Sequence, residues 1–384
     1  MPITSLADEA ESSNWKDRFQ LHGHLTTSYA DSSPSGAGSR FAEEAQIGIP
    51  EDGTFDYRVA ALQLRYTAAA DHTFLVQLSH RSLGDSVLDE VTDEVELDWL
   101  FWQWQVGEST RLRVGRFPTP AGIFNEIRDV GTLLPFFRPS FNFYREGSIF
   151  SETTDGIGVS HRFNADSEWA VDADLYYGEY DVIEQDTGLG NEIVEVGVDN
   201  AIGGQMWLNT PVEGLRIGLG GLRWDVGPES QFNLEEATWE SWYASIDGSF
   251  ERYVARAEYR QVQTPFVSLP FIPSGQADLD IYYWQLGWRP TPKLAFYLQS
   301  EFSEFEQTAE IYVGGSTQLN NRRDDGVAVN YFFRPNVVLK AEYHEQAMDA
   351  VQSEPIFLPE GLRLQVNSER FENDYSVLSL SVSF

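Results

Sequence analysis

The sequence contains no cysteine, three methionines and six histidines in 384 residues. Without cysteine there is no disulfide, thiolate metal centre or thiol nucleophile, so thiols give no reading of the redox compartment. Basic residues are also scarce. Sixty acidic side chains stand against 26 basic ones, a formal charge of -34. Such a charge repels nucleic acid and excludes a DNA or RNA partner. Long uncharged runs are missing too. The longest, residues 261–277, is interrupted by Pro265, Pro270 and Pro273, so no transmembrane helix is expected. The opening segment MPITSLADEAESSNWKD is acidic and lacks an apolar core. Either it carries no secretion signal or the chain is a mature form, and the second is the expectation.

What is abundant is aromatic residues, 14% of the chain, together with 31 glycines. They are arranged with a period of two. In YSVLSLSVSF, Leu378, Leu380, Val382 and Phe384 alternate with Ser379, Ser381 and Ser383, the pattern of a strand with one apolar and one polar face. The rhythm returns in EWAVDADLYYG and in RYVARAEYR. Sixteen such segments can be marked, from 18–30 to 374–384. Short connections such as GES, NADS, NTPVE and PTP alternate with longer ones, as in a stack of hairpins with tight turns at one end.

A sandwich with one wet face would also alternate. Two features favour a membrane barrel instead. Apolar faces extend along nearly every strand, and aromatic residues gather near strand ends, as at Tyr29, Tyr66, Trp169, Tyr177, Trp239, Trp242, Tyr253, Tyr259, Trp288 and Phe384. In a bilayer no backbone group can stay unpaired, so a sheet must close on itself. The expected fold is all-β, a 16-stranded antiparallel transmembrane β-barrel formed by residues 18–384, preceded by a short leader, residues 1–17.

Over almost its whole length the chain resembles the sixteen-stranded outer-membrane porins of Gram-negative bacteria. The terminal Phe384 strand is similar to the family's assembly signal, and VGRFPTPAGIFNE, residues 114–126, is similar to a segment of the phosphate-selective porin group. The resemblance implies short periplasmic turns, long extracellular loops, a homotrimer and contact with lipid and lipopolysaccharide. It also implies that the third long loop, residues 117–154, folds inward and narrows the pore. Phe124, Phe136, Phe137, Phe141, Phe143 and Tyr144 would anchor it, with Glu126, Arg128, Asp129, Arg138, Arg145 and Glu146 as constriction charges. A loop folded over the outer rim is the alternative.

Alternation assigns Arg65, Arg81, Arg111, Arg113, Arg162, Arg216, Arg256, Arg260, Arg289 and Lys340 to the bore, with Asp172, Asp174, Asp247, Glu258, Glu301 and Glu342 as acidic counterparts. Ten bases facing six acids predict a preference for anions. Pairing of these arginines with loop carboxylates would leave an unselective pore, and that alternative stays open.

Other motifs carry less. His22 and His24 in HGH share a strand face and read as bore lining rather than a metal site. GLGGLR, residues 218–223, lacks the third glycine of a dinucleotide fingerprint and lies inside a strand, so its glycines read as packing devices. Asp172 and Asp174 could be an acid and base couple, but no serine, histidine and acid constellation accompanies them. The expected function is passive diffusion of small hydrophilic solutes across the bacterial outer membrane, with no cofactor, metal or enzymatic activity. An envelope anchor or adhesin is the second class, an outer-membrane hydrolase the third.

Overall fold

The computed structural model describes residues 18–33, 48–86, 94–144, 152–186, 192–227, 237–266, 275–308, 317–358 and 361–384. Sixteen strands follow one another: β1 Phe19–Ser32, β2 Thr54–Ala69, β3 His72–Leu83, β4 Glu96–Val106, β5 Thr110–Pro118, β6 Thr153–Phe163, β7 Ala170–Asp186 and β8 Glu192–Asn209. The second half comprises β9 Leu215–Val226, β10 Ala237–Ser249, β11 Tyr253–Phe266, β12 Gly275–Thr291, β13 Leu294–Thr308, β14 Thr317–Arg334, β15 Val337–Leu358 and β16 Gly361–Ser383. Each strand pairs antiparallel with its chain neighbours, and β1 pairs with β16 in the register Thr26↔Ser381. The sheet is therefore a closed barrel with no free edge, which satisfies every ladder from within.

The exterior explains why closure is compatible with these side chains. Leu62, Leu175, Met206, Leu219, Trp284, Leu298 and Leu378 stand exposed on β2, β7, β8, β9, β12, β13 and β16. A contiguous apolar belt of this kind is the surface of a membrane-spanning barrel. Aromatic residues border it on the turn side, where His72, Trp102 and Trp104 stack and Trp288 stacks on Phe296. Beyond the belt on the loop side, outward arginines carry acidic partners: Arg58 with Asp56, Arg116 with Asp155, and Arg323 with Asp325. Charge appears on the outer face only where the chain leaves the apolar band.

Several strands run longer than their hydrophobic rhythm. Residues 347–373 read as a long loop, yet β15 and β16 remain paired to Leu358↔Gly361. β7 and β8 likewise pair as far as Asp186↔Glu192. Beyond the bilayer both faces are wet, so backbone pairing continues without apolar alternation. Trp239 departs from the expected girdle: it is buried inside the barrel, edge-on to Trp224. The expected leader, residues 1–17, lies outside the described residues.

The apolar core lies inside the cylinder rather than between sheets. One cluster joins Phe117, Phe124, Phe143 and Tyr144 to wall residues of β4 and β7–β12. A second joins Phe137 and Phe141 to β1, β2, β3 and β16, and a third places Phe136 against β11, β13 and β14. All three are built around the connection between β5 and β6.

Candidate functional site

That connection descends into the barrel and is fixed on two sides. It contains two short helical pieces, Asn125–Ile127 and Phe141–Tyr144. Toward β10–β15 the fixings are hydrogen bonds from wall to loop backbone. Arg260 donates to the Phe143 carbonyl at 2.7 Å, Lys340 to Phe136 at 2.6 Å, and Asn330 to Pro135 at 2.9 Å. Wall carboxylates bind loop donors in return. Glu301 accepts from Ser140 and from the Asn142 amide, the latter at 3.0 Å. Glu258 accepts from Tyr144, from Ser245 at 2.5 Å and from Tyr283 at 2.6 Å. Buried polar groups must be paired in this way to be tolerated.

Aromatic side chains reinforce the same side. The Arg260 guanidinium lies 3.9 Å from the Phe143 ring centre, and Arg322 and Arg138 lie 4.1 and 4.6 Å from that of Phe141. Desolvated cation–π contacts of this kind contribute about 2 kcal/mol each. Tyr144 ties the loop to itself as well, because its hydroxyl accepts from the Ile123 and Phe124 amides at 2.7 and 3.1 Å.

Toward β1–β5 the fixing is electrostatic. Arg81 contacts Asp129 at 2.8 Å and Glu152 at 2.6 Å, and Arg128 reaches Glu152 at 3.3 Å. Arg113 binds Glu126 at 2.9 Å. Asp98 joins the cluster's edge through Gln77 at 2.6 Å. Burial pushes the Asp129 carboxyl up to about 6 against the pull of Arg81. Burial acts the same way on Glu152, but Arg128 and Arg81 outweigh it and hold that carboxyl down to about 2. Two carboxylates sharing one guanidinium cannot ionise equally easily. At the tip, the loop backbone touches the wall. A Cβ on Gly131 would lie 2.2 Å from the Thr26 hydroxyl and 2.6 Å from that of Ser381, and Thr132 bonds Ser383 at 3.1 Å.

The predicted bore residues do face inward, but most are already satisfied. Arg81 and Arg113 pair with the loop, Arg162 with Asp172, and Arg216 and Arg256 with Asp247. Arg260 and Lys340 serve loop carbonyls, and Arg289 bonds the Tyr297 hydroxyl. Arg65 and Arg111 carry no acidic partner among the described residues. Of the loop residues, Glu126, Arg128 and Asp129 belong to the β1–β5 side and Arg138 to the β14–β16 side. Arg145 and Glu146 lie outside the described residues.

Sequence reasoning missed Asp98, Arg322, Asp324 and His344. His344 contacts Asp324 at 2.7 Å, and Tyr375 donates to the same carboxylate at 2.9 Å. Arg322 and Asp324 precede the apolar part of β14, where alternation gives no signal. Asp98 sits where the β3–β4 register shifts between Gln77 and Leu78, which breaks the phase of the pattern. Two glycines of GLGGLR, Gly218 and Gly220, sit under the inward aromatics Trp207 and Tyr243: a Cβ on Gly220 would lie 2.2 Å from the Tyr243 ring. Asp172 and Asp174 bond Asn209 and Gln205 rather than each other. His22 and His24 line an open cleft of about 460 Å³ on the turn side with Gln63, Gln77, Trp99 and Val130.

No protein-family model matches the sequence, and no curated protein matches it. Solved structures of similar fold do. OmpT, an outer membrane protein of Vibrio cholerae, aligns at 11% identity over 95% of this chain and 97% of its own, with a TM-score of 0.58; a trimer form of that protein also aligns. The outer membrane channel DcaP of Acinetobacter baumannii gives the same identity, coverage and TM-score. An anion-selective porin from Comamonas acidovorans aligns at 9% identity over 95% and 99%, with a TM-score of 0.56. At these identities the likeness is one of fold: a sixteen-stranded barrel of the porin type.

Proposed function

We propose that this sixteen-stranded barrel is an outer-membrane channel for passive diffusion of small hydrophilic solutes, with the β5–β6 loop controlling passage. One observation carries the reading: a closed cylinder whose outside is apolar and whose inside is lined by ionised side chains. Such an interior costs too much free energy to be mere filling unless water and solutes reach part of it. The similar structures include an outer membrane channel and an anion-selective porin. The outer membrane named for such structures and the trimer form of the Vibrio cholerae protein are extended to this chain as part of the proposal, along with external loops meeting lipopolysaccharide and turns facing the periplasm.

The preference for anions rests on fewer residues than the sequence suggested. Arg81 and Arg113 are neutralised by carboxylates of the loop, so their fields largely cancel at a distance, whereas Arg216 and Arg256 share the single carboxylate of Asp247 and together keep one positive charge. Arg65 and Arg111, without an acidic partner among the described residues, would give the turn-side vestibule its positive character. Anionic solutes would be drawn to that mouth. Reconstitution in a planar bilayer under a salt gradient tests this. A reversal potential of anion-selective sign supports the reading, and absence of any current from the barrel with its loop excised would refute it.

A second reading follows from the packing of the loop. Because its aromatic residues fill so much of the bore, the barrel could serve as an envelope anchor without a standing pore. Current from the intact chain separates the two: a channel shows current steps with its loop in place, whereas an anchor conducts only once the loop is excised.

A further inference from the structure

We infer that the loop between β5 and β6 seals the bore in the state seen here, and that opening frees its first half from the β1–β5 wall while its second half stays docked. This rests on the channel reading. Three independent observations carry it.

First, every strand presents at least one inward-facing side chain that is buried, from Thr26 on β1 through Tyr176 on β7 and Glu258 on β11 to Ser379 on β16. A standing pore of solute width would leave a continuous stripe of wall wet along one side. Wet inward residues such as Arg65, Arg111 and Ser160 lie on the turn side, below the loop. Second, the loop reaches far deeper than mid-height. Thr132 bonds Ser383, at the turn-side end of β16, so the segment crosses the whole path.

Third, the two sides of the loop are fixed differently. Residues 134–144 are held by apolar packing in three clusters, one of which seats Phe137 and Phe141 on β1–β3 and β16, and by hydrogen bonds from β10–β15. Residues 125–133 are held to β1–β5 mainly by Arg81 with Asp129 and Arg113 with Glu126, plus the contacts at Gly131 and Thr132. Ion pairs lose little when water enters, because hydration replaces them. Buried aromatic surface has no such substitute. The electrostatic side is the one that opens, and its opening would extend the turn-side cleft along β4 and β5.

The absence of cysteine provides the test. Thr132→Cys with Ser383→Cys places two thiols where hydroxyls now sit 3.1 Å apart, within reach of a disulfide. The full-length double variant is reconstituted in planar bilayers, oxidised, then reduced in the same membrane. The inference expects no current steps when oxidised and steps restored on reduction. A barrel with residues 120–150 replaced by a short glycine linker should conduct steadily. Arg81→Ala should raise the open fraction of the otherwise native chain by roughly a hundredfold or more, as loss of one partner of a buried pair implies. Equal current before and after reduction, with the loopless barrel conducting, would overturn the seal and leave the channel reading intact. A folded loopless barrel that passes no current would overturn the channel reading itself.

Discussion

Replacing Tyr144 by Phe removes one oxygen and leaves the ring in place, which makes it a sharp probe of how the loop is anchored. The hydroxyl donates to Glu258 and accepts from two backbone amides, Ile123 and Phe124. Ile123 keeps a partner, since its amide also lies 3.1 Å from Glu258. The Phe124 amide loses an acceptor that nothing else among the described residues replaces, and Phe124 is itself buried. An unsatisfied buried amide costs about 1–3 kcal/mol, and a hydrogen bond to a charged group is worth about 1.5–3 kcal/mol. Because the two share a partner they do not simply add. About 3 kcal/mol is a reasonable total, or roughly a hundredfold in a local opening equilibrium. The ring contacts with Phe143, Phe124 and Tyr283 persist, so the barrel itself should be unaffected. Hydrogen exchange of the reconstituted protein, read on peptides spanning residues 120–128, should accelerate by about that factor while β10–β12 stay protected. Exchange within threefold of the unsubstituted chain would refute the view that this hydroxyl organises the loop.

Three further outcomes follow from the same geometry. Asp129, held up to about 6 when docked, binds a proton more readily there than when solvated. Docking therefore gains stability as pH falls from 7 towards 4, by at most on the order of 3 kcal/mol. Glu152, held down to about 2, supports docking above its ordinary range and withdraws that support only as pH falls towards 2. With Arg81, Arg128 and Asp98 also facing this cluster, current should decrease between pH 7 and 4.5, and Asp129→Asn should flatten the response; a rise in current over that interval would contradict the sign. Gly131→Leu has no room against Thr26 and Ser381 and should lift the loop tip, seen as more frequent openings. Arg65→Gln with Arg111→Gln should move the reversal potential toward cation preference, whereas Arg113→Gln should move it less, because Glu126 already neutralises that arginine.

Much of the fold was legible because lipid imposes a period of two. Leu378, Leu380 and Val382 had to point outward, and that requirement fixed strand number and closure. Where the chain leaves the bilayer the requirement ends, which is why β14–β16 extend through segments such as NNRRDD and AVQSEPIF that carry no apolar rhythm. The bore was half legible. Alternation assigns Arg81, Arg113 and Arg260 to the bore, but it is silent on partners separated by long stretches of chain. Lys340 meets the carbonyl of Phe136 and Glu258 meets Tyr144 only because the loop doubles back. A count of bases and acids along the wall therefore overstated the free positive charge. It also missed the carboxylates that arrive with the loop and with the polar ends of strands. The aromatic residues of the loop could be read as anchors, but not which wall strands they pack against.

The central claim, that water and solutes are kept from the wall beneath the loop, is tested most directly by thiol accessibility in a membrane. Ser379 on β16 faces inward and is 1% exposed with its hydroxyl unpartnered, while Ser160 on β6 faces inward from the half-exposed turn-side wall. Single variants Ser379→Cys and Ser160→Cys, each carrying the chain's sole thiol, are exposed to a charged methanethiosulfonate reagent in proteoliposomes. A sealed bore predicts rapid modification at position 160 and modification slower by roughly two orders of magnitude at position 379, consistent with the local stability argued for the loop. Equal rates at the two positions would mean that a water-filled path runs along β16, and the seal would not exist.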